Sequence, residues 1–475
     1  MEWLRVFAVS FVQNIKLIRC KCITQSRKLK MSDKRKKIYE ELLLLGKTLR
    51  KSHIREFKKE ELEQRVIKND LLQFDYSKQR INDESIDYLL QIPELIKLND
   101  LLKELFAGKF RNVSEKRYVS HTLYRDETFN NDFEFLSSER ERIKSFIQEQ
   151  ENKKVFKKLI CISIGGSRLG PELLNEFQSF NERINVQFCS SDDLLELNDV
   201  LRKSIQGETL IFISSKSFET TEVLKNLNQV KSWFLKASNV DIQNHLYGIS
   251  SNSKAMTDCG IKLSNQFLVL DSLGGRFSLW SSMSLPAFVN SGFDSYLELL
   301  EGARLADKHA SSTSWESNIP VIMALLSIWN ATSLGINNHG IFTYNFRLRS
   351  LTKYLAQLSM ESNGKSINYE SKESPFPTSP LIWGGYGIEL QHSTFQWMMQ
   401  GKTETSCDFV GINNHDKDTQ DSYLMLLSQV LAMTQGKNFV KSPYKSIKGN
   451  NPCSILQMKS LDLRSLGFLL ATYEH

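Results

Sequence analysis

The sequence predicts an α/β protein built on doubly wound parallel sheets, and three observations carry that prediction. Residues 155–270 alternate short apolar runs with stretches of helical spacing, the order expected of strands joined by crossover helices. The runs KLICISI and TLIFIS are apolar along most of their length rather than alternating, as for strands buried on both faces. The chain has 475 residues, enough for two or three domains, and a Ser/Thr-rich break at 311–314 sets off a second domain.

Four segments follow in order. Residues 1–30 carry seven Lys/Arg against one acid, Glu2, a net of +6, and the whole chain is +7, so the other 445 residues are near +1. A nucleic-acid-binding body is therefore unsupported. This first segment reads as leader-like or as a non-native extension. Its apolar core is short and broken by Ser10, and no small-residue cleavage site follows. Its acid-poor composition suits a transit peptide, whereas Met31 opens MSDKRKK like an ordinary start.

Residues 31–150 are expected to be a helical N-terminal region, from the stripes IYEELLLLGKTL, SIDYLLQIPELIKLNDLLKELF and SSERERIKSFIQEQ. Between the last two lies NVSEKRYVSHTLYRD, with Ser114, Glu115, Arg117, His121 and Arg125 close together. Alone it reads as a solvated loop.

Residues 151–310 hold the alternating units: strand KLICISI, turn GGSRLG, helix PELLNEFQSF, strand NVQFC, helix LLELNDVL, then strand 210–213, a helix from Phe218, and strands LYGIS and QFLVLDS. The glycine turn lacks the GxGxxG spacing, which disfavours a dinucleotide fold. The helix after strand 210–213 places Val223, Leu227, Val230 and Phe234 on one face. The turn before it holds Ser215, Lys216, Ser217 and Thr220. Three hydroxyls, one ammonium and the free N–H groups of a helix start form an anion site sized for a phosphomonoester. The plain alternative is that these Ser and Thr residues only cap the helix.

Residues 311–475 open with the helix IPVIMALLSIWNATSLG, followed by helix LTKYLAQLSMES and a Pro/Ser segment at 371–380. Helix QHSTFQWMMQ, strand CDFVG and helix YLMLLSQVLAMTQ come next. The last helical pattern has Leu463, Leu466, Leu470 and Tyr473 on one side and no C-cap. A chain stopping inside an amphipathic helix is expected to leave those leucines exposed.

The seven cysteines are scattered without CxxC spacing, and the eight histidines without HxxxH. Reduced thiols in a cytoplasmic protein, no metal site and no cofactor are the expectations. No apolar run is long enough for a membrane span.

Five stretches together resemble the phosphoglucose isomerase family: SIGGSRLGP, SSKSFETTE, LDSLGGRFSLWS, QLSMESNGK, and WGGYGIELQHSTFQWMMQG followed by CDF. The early segment NVSEKRYVSHTLYR and the ending NPCSILQMKSLDLRSLGFLLATYEH are also similar, so the likeness runs from about Leu42 to His475. The resemblance implies two sugar-isomerase-type domains at 151–310 and 311–475, and interconversion of glucose 6-phosphate and fructose 6-phosphate through an enediol. It also implies a homodimer without a cofactor.

Residue by residue, it implies that Gly166 and Ser167 meet the sugar phosphate, with Ser215, Lys216, Ser217 and Thr220 as the phosphate loop. Arg276 would stand near the developing enediolate and Gln357 would contact substrate. Glu361 would move the proton between C2 and C1, and His392 would open the ring from the neighbouring subunit. The chemistry asks for these types: a carboxylate that takes and returns one proton, a guanidinium beside an oxyanion, and an imidazole titrating near neutrality. A partly desolvated Glu361 would have its pKa raised.

Three departures accompany the likeness. Arg168 stands where the family has Asp, which would add a cation near the phosphate, and Ile388, Glu389 and Leu390 replace a smaller or more polar run before His392. In the family a further segment bears a late glutamine and a helical lysine that assists ring opening. No residue here takes those roles, which leaves a phosphosugar-binding chain without turnover as the alternative.

Overall fold

The computed structural model describes residues 25–58, 62–126, 133–178, 183–237, 239–367, 371–374, 376–413 and 417–475. They divide into two units. A terminal unit takes the described part of Met1–Glu104 with Asn112–Lys116 and Gly302–His475, and a central unit takes Leu105–Arg111 and Arg117–Glu301. This division differs from the segments 31–150, 151–310 and 311–475. The passage from one unit to the other falls inside helix Phe293–Ser312, where a continuous helix gives no compositional signal. The residues 311–314 mark only its end. At the start, helix Gln25–Leu49 runs through Met31 without a break; residues 1–24 of the expected extension lie outside the described residues.

In chain order the strands are β1 (Val66–Lys68), β2 (Leu72–Lys78), β3 (Arg111–Asn112), β4 (Arg117–Tyr118), β5 (Lys158–Ser163), β6 (Asn185–Cys189), β7 (Thr209–Ser214), β8 (Leu246–Ser250) and β9 (Gln266–Leu268). Then come β10 (Asn338–Thr343), β11 (Leu381–Tyr386), β12 (Ser406–Ile412) and β13 (Cys453–Met458). The two-residue strands β3 and β4 pair only with each other.

The central unit holds a parallel sheet in the order β6-β5-β7-β8-β9. Numbered by chain position this is 2-1-3-4-5, a doubly wound order with its switch point between the first and third strands. Every residue of β7 is buried, as its unbroken apolar run requires. Ile160, Ile162, Ile211 and Ile213 share one core with Val223, Leu227, Val230 and Phe234 of helix Thr221–Phe234. That helix begins at Thr221, three residues later than its spacing suggests. Phe218 instead sits in the turn at φ +58° with its ring buried in the same core, so an apolar residue there mimics helical periodicity.

The terminal unit has the order β1-β2-β13-β12-β10-β11, with β10 to β13 mutually parallel and β2 antiparallel to β13. Read from β11, its parallel part repeats the order 2-1-3-4. The fifth place is filled by β2, from a region expected to be helical. Leu72, Phe74 and Tyr76 are buried on one face, and Gln73 and Asp75 alternate with them on the other. Seven alternating residues between longer helical stripes are easily missed.

Helix Leu463–Glu474 corrects a second expectation. Leu463, Leu466 and Leu470 are 6%, 0% and 0% exposed, because the helix packs against β2, β13 and helix Ile319–Ile328. Helix Phe293–Ser312 also comes close, through Gly302: a Cβ there would lie 1.9 Å from the carbonyl oxygen of Arg464. Asp462 caps the helix by accepting the Ser465 N–H at 2.6 Å.

Candidate active site

The candidate residues fall in both units, and each half is built by local rules. In the central unit, the register pairs Ser163 of β5 with Ser214 of β7. The loops that follow these two strands therefore leave the sheet side by side at the switch point, where open α/β sheets bind ligands. Between them opens a cavity of about 400 Å³. Gly166, Ser167, Ser215, Lys216, Ser217 and Thr220 all line it, joined by Ser251, Asp271 and Gly275. Gly166 is also the first residue of helix Gly166–Gln178, so that helix directs its unpaired N–H groups and positive dipole end toward the cavity.

The hydroxyls are not spent on capping. Thr220 occupies the N-cap position of helix Thr221–Phe234 yet makes no side-chain cap bond. Its Oγ1 instead lies 3.2 Å from Ser215 Oγ. The capping alternative therefore fails for Thr220. The carbonyl of Lys216 accepts from Ser250 Oγ at 2.7 Å and from both Ser251 Oγ and the Ser251 N–H at 3.0 Å. This fixes the backbone of the turn, leaving the ammonium on a side chain only 22% exposed.

Arg276 enters through its backbone. A Cβ on Gly166 would lie 2.4 Å from both the Arg276 nitrogen and the Gly275 carbonyl carbon, so only glycine lets the two motifs meet. The Arg276 guanidinium is half-buried, 5.3 Å from the centre of the Phe277 ring. The early motif is a solvated turn only in its first half, where Ser114 and Glu115 are exposed; in its second half His121 and Arg125 are each 1% exposed. The His121 ring packs 4.7 Å from Phe277, and the Arg125 guanidinium sits 4.2 Å from the Trp280 ring. Stacking on the residues after GGR absorbs what reads as free charge.

Arg168 departs from its expected role. Its guanidinium donates to both carboxylate oxygens of Glu172, at 3.1 and 3.0 Å, and to Ser190 Oγ, with Glu196 at 3.8 Å. Burial alone would lower its pKa, but Glu172 and Glu196 more than reverse this and raise it. Its charge is met by Glu172 on its own helix and by Glu196 on helix Leu195–Arg202, and it is not a wall of the cavity. Asp271 was missed by sequence reasoning, although it stands in LDSLGGRF. Its carboxylate lies 3.9 Å from Lys216 Nζ and 3.8 Å from the Arg117 guanidinium.

In the terminal unit, Glu361 and Gln357 are one turn apart on helix Leu351–Asn363, and Gln357 Nε2 donates to Glu361 Oε2 at 2.9 Å. Lys365 Nζ donates to the carbonyls of Glu361 at 2.7 Å and Ser362 at 2.9 Å, holding the helix end that carries the carboxylate. Glu361 is exposed; its surroundings do not supply the desolvation expected for it. His392 is likewise exposed, on the turn after helix Gly387–Leu390. Within the central unit the structure gathers the residues of the loops after β5 and β7 with the Arg276 backbone; within the terminal unit it bonds Gln357 to Glu361 and carries His392 on a separate element.

Two doubly wound sheets, one with a cavity lined by hydroxyls, a lysine and a helix start at its switch point, define an α/β protein of the class that takes ligands beyond the carboxyl ends of its strands. Comparison with known proteins narrows this. The family model described as phosphoglucose isomerase matches residues 75–475, and the chain belongs to that family. A glucose-6-phosphate isomerase of Acinetobacter baumannii is 33% identical over 469 residues, covering 90% of this chain and 84% of the relative. One from Alteromonas mediterranea is 36% identical over 441 residues, 84% of this chain and 80% of the relative. Among solved structures, a glucose-6-phosphate isomerase from Chlamydia trachomatis aligns with a TM-score of 0.86 at 29% identity, covering 93% of this chain and 89% of that one.

Proposed function

We propose that the chain is an aldose–ketose isomerase interconverting glucose 6-phosphate and fructose 6-phosphate. The observation that carries this reading is the cavity where the loops after β5 and β7 meet the Gly275–Arg276 backbone, in a chain of this family. Lys216, the hydroxyls of Ser167, Ser215, Ser217 and Thr220, and the helix start at Gly166 anchor the phosphate. His392 transfers protons to and from the sugar oxygens to open the ring. Glu361 then takes the proton from C2 and returns it to C1, so one carboxylate serves both directions. Arg276 offsets the charge of the enediolate oxygen without giving up its own proton. The Gln357 amide, already bonded to Glu361, holds the base in one rotamer as substrate arrives.

A homodimer in which His392 serves the partner's site fits its exposure here. Ile388, Trp397, Leu424, Met425 and Leu431 are exposed apolar side chains on the helices that follow and flank it, a composition suited to an interface. A cytoplasmic setting accords with the five described cysteines, all free thiols. No helix among the described residues is long and apolar enough to cross a membrane.

A coupled assay of fructose 6-phosphate conversion tests the reading. The chain is expected to turn over, and Glu361→Gln to lower kcat by about 10²–10⁴-fold with little change in KM. Unreduced activity in Glu361→Gln would move the base elsewhere, and an inert parent chain that still binds the phosphosugar would overturn the proposed turnover.

A further inference from the structure

The turn that carries His392 is tied to the interior by side chains outside all of the motifs' assigned roles. Tyr344 follows β10 directly and is 2% exposed. Its hydroxyl donates to Gln429 Oε1, and Gln429 Nε2 donates in turn to Gln391 Oε1. Gln429 comes from helix Lys417–Gln435 and is 3% exposed. Gln391 immediately precedes His392. A chain of two hydrogen bonds thus runs from the residue after β10 to the residue beside the exposed imidazole.

The neighbourhood is shaped around this chain. A Cβ on Gly387 would fall 2.7 Å from the Tyr344 hydroxyl oxygen, so the phenol passes directly under the short helix leading into the turn. Beyond the turn, Phe395 is 1% exposed and packs 5.1 Å from Phe342 in a core that also holds Tyr344. His392 is therefore held on both sides, by the Gln391 amide before it and the Phe395 ring after it. Burial raises the Tyr344 pKa, which keeps the hydroxyl protonated as a donor throughout the working pH range.

We propose that Gln429, oriented by Tyr344, is a positioning residue for His392 that fixes the direction of the ring-opening imidazole without touching substrate. The proposal rests on the reading of His392 as the ring-opening group. A buried amide bonded on both sides has one orientation, because its oxygen is taken by a donor and its nitrogen by an acceptor. Losing it frees the turn 391–393 while the core beneath remains. Displacement of a reacting group by about 1 Å costs on the order of 10²-fold in rate.

The test compares Tyr344→Phe, Gln429→Met and His392→Ala in the full chain. Each is assayed on cyclic glucose 6-phosphate and on an aldose phosphate analogue lacking the ring-closing hydroxyl. Anomer exchange by NMR reads ring opening, and deuterium uptake at C2 reads isomerisation of the acyclic analogue. Tyr344→Phe and Gln429→Met are expected to slow anomer exchange and kcat on the cyclic sugar by about 10- to 100-fold. KM, the melting temperature and C2 exchange on the acyclic analogue should stay near the parent's. Equal losses on both substrates would mark Tyr344 and Gln429 as merely structural and overturn the proposal, as would no loss at all. If His392→Ala slows anomer exchange and the other two variants do not, only the positioning role falls. If His392→Ala leaves anomer exchange intact, the role of His392 falls and the proposal with it.

Discussion

The two sheets of this molecule share a strand order and differ in what they place at the switch point. In the central unit, β5 and β7 end in Ser163 and Ser214, and the loops beyond them supply hydroxyls, a lysine and a glycine-started helix around an open cavity. In the terminal unit, the matching strands are β10 and β12. Past β10 stands Tyr344, buried among Phe342, Phe409 and Val430 and bonded to Gln429. The residues just past β5 and β7 open onto a polar cavity, whereas the residue past β10 is an aromatic side chain held in the core. The winding of the sheet creates the crevice in both cases. Side-chain size and polarity set how the first residues beyond the strands differ.

The edges differ too. The central sheet is completed by β9, parallel and close in sequence, whereas the terminal sheet recruits β2 from the other end of the chain. That recruitment places Arg80, just past β2, wholly out of solvent, paired with Glu404 Oε2 at 2.7 Å. The Trp329 indole N–H donates to the Arg80 carbonyl at 2.9 Å. The largest expected effect in this comparison follows. Glu404→Gln leaves a buried guanidinium without its counter-charge and should destabilise the terminal unit by about 3–5 kcal/mol. The central unit should be untouched. Urea unfolding followed by hydrogen exchange in each unit would reveal equal losses if the two do not differ in this way.

The same pair sets a pH dependence. Burial pushes the Glu404 carboxyl up, but Arg80 and Lys448 outweigh it and hold the pKa below its ordinary 4.5. Its stabilising contribution is therefore complete above about pH 4.5 and lost as pH falls through the lower folded value. The parent should show an acid limb below pH 4.5 that is reduced in Glu404→Gln; identical acid limbs would argue against the pair.

At the open switch point the effects should appear in binding and not in stability. Lys216→Ala is expected to weaken binding of a sugar phosphate by about 1.5–3 kcal/mol, the worth of a charge-assisted hydrogen bond, with an unchanged melting temperature. Calorimetric titration giving the parent's affinity would remove Lys216 from the site. The smallest effect belongs to Thr220→Val. Because Thr220 bonds to Ser215 and not to the helix start, the change should cost about 1 kcal/mol of phosphosugar affinity and almost no stability. A loss of about 1 kcal/mol in unfolding free energy instead would restore the capping role.

Much of this was legible beforehand because it is local. The apolar runs of β5 and β7, the core face Val223, Leu227, Val230 and Phe234, and the polar turn 215–220 follow from periodicity and turn chemistry within about twenty residues. What resisted reading was long-range. Strand β2 alternates over only seven residues and is a strand because β13 lies beside it. Arg168 reads as an added cation and Arg125 as part of a solvated loop; the contacts to Glu196 and Trp280 that change this come from distant segments.

The sequence by itself determined the residue types at the anion turn, the alternation that makes a doubly wound sheet, and the motifs that place Glu361, Arg276 and His392 in one family. Tertiary structure alone decided that Gly166 abuts Arg276 and that Asp271 faces Lys216. It also decided that Leu463, Leu466 and Leu470 are covered and that Gln429 reaches the neighbour of His392. Periodicity records which face of an element is apolar, but burial and hydrogen-bond partners across distant segments exist only once the chain has closed on itself.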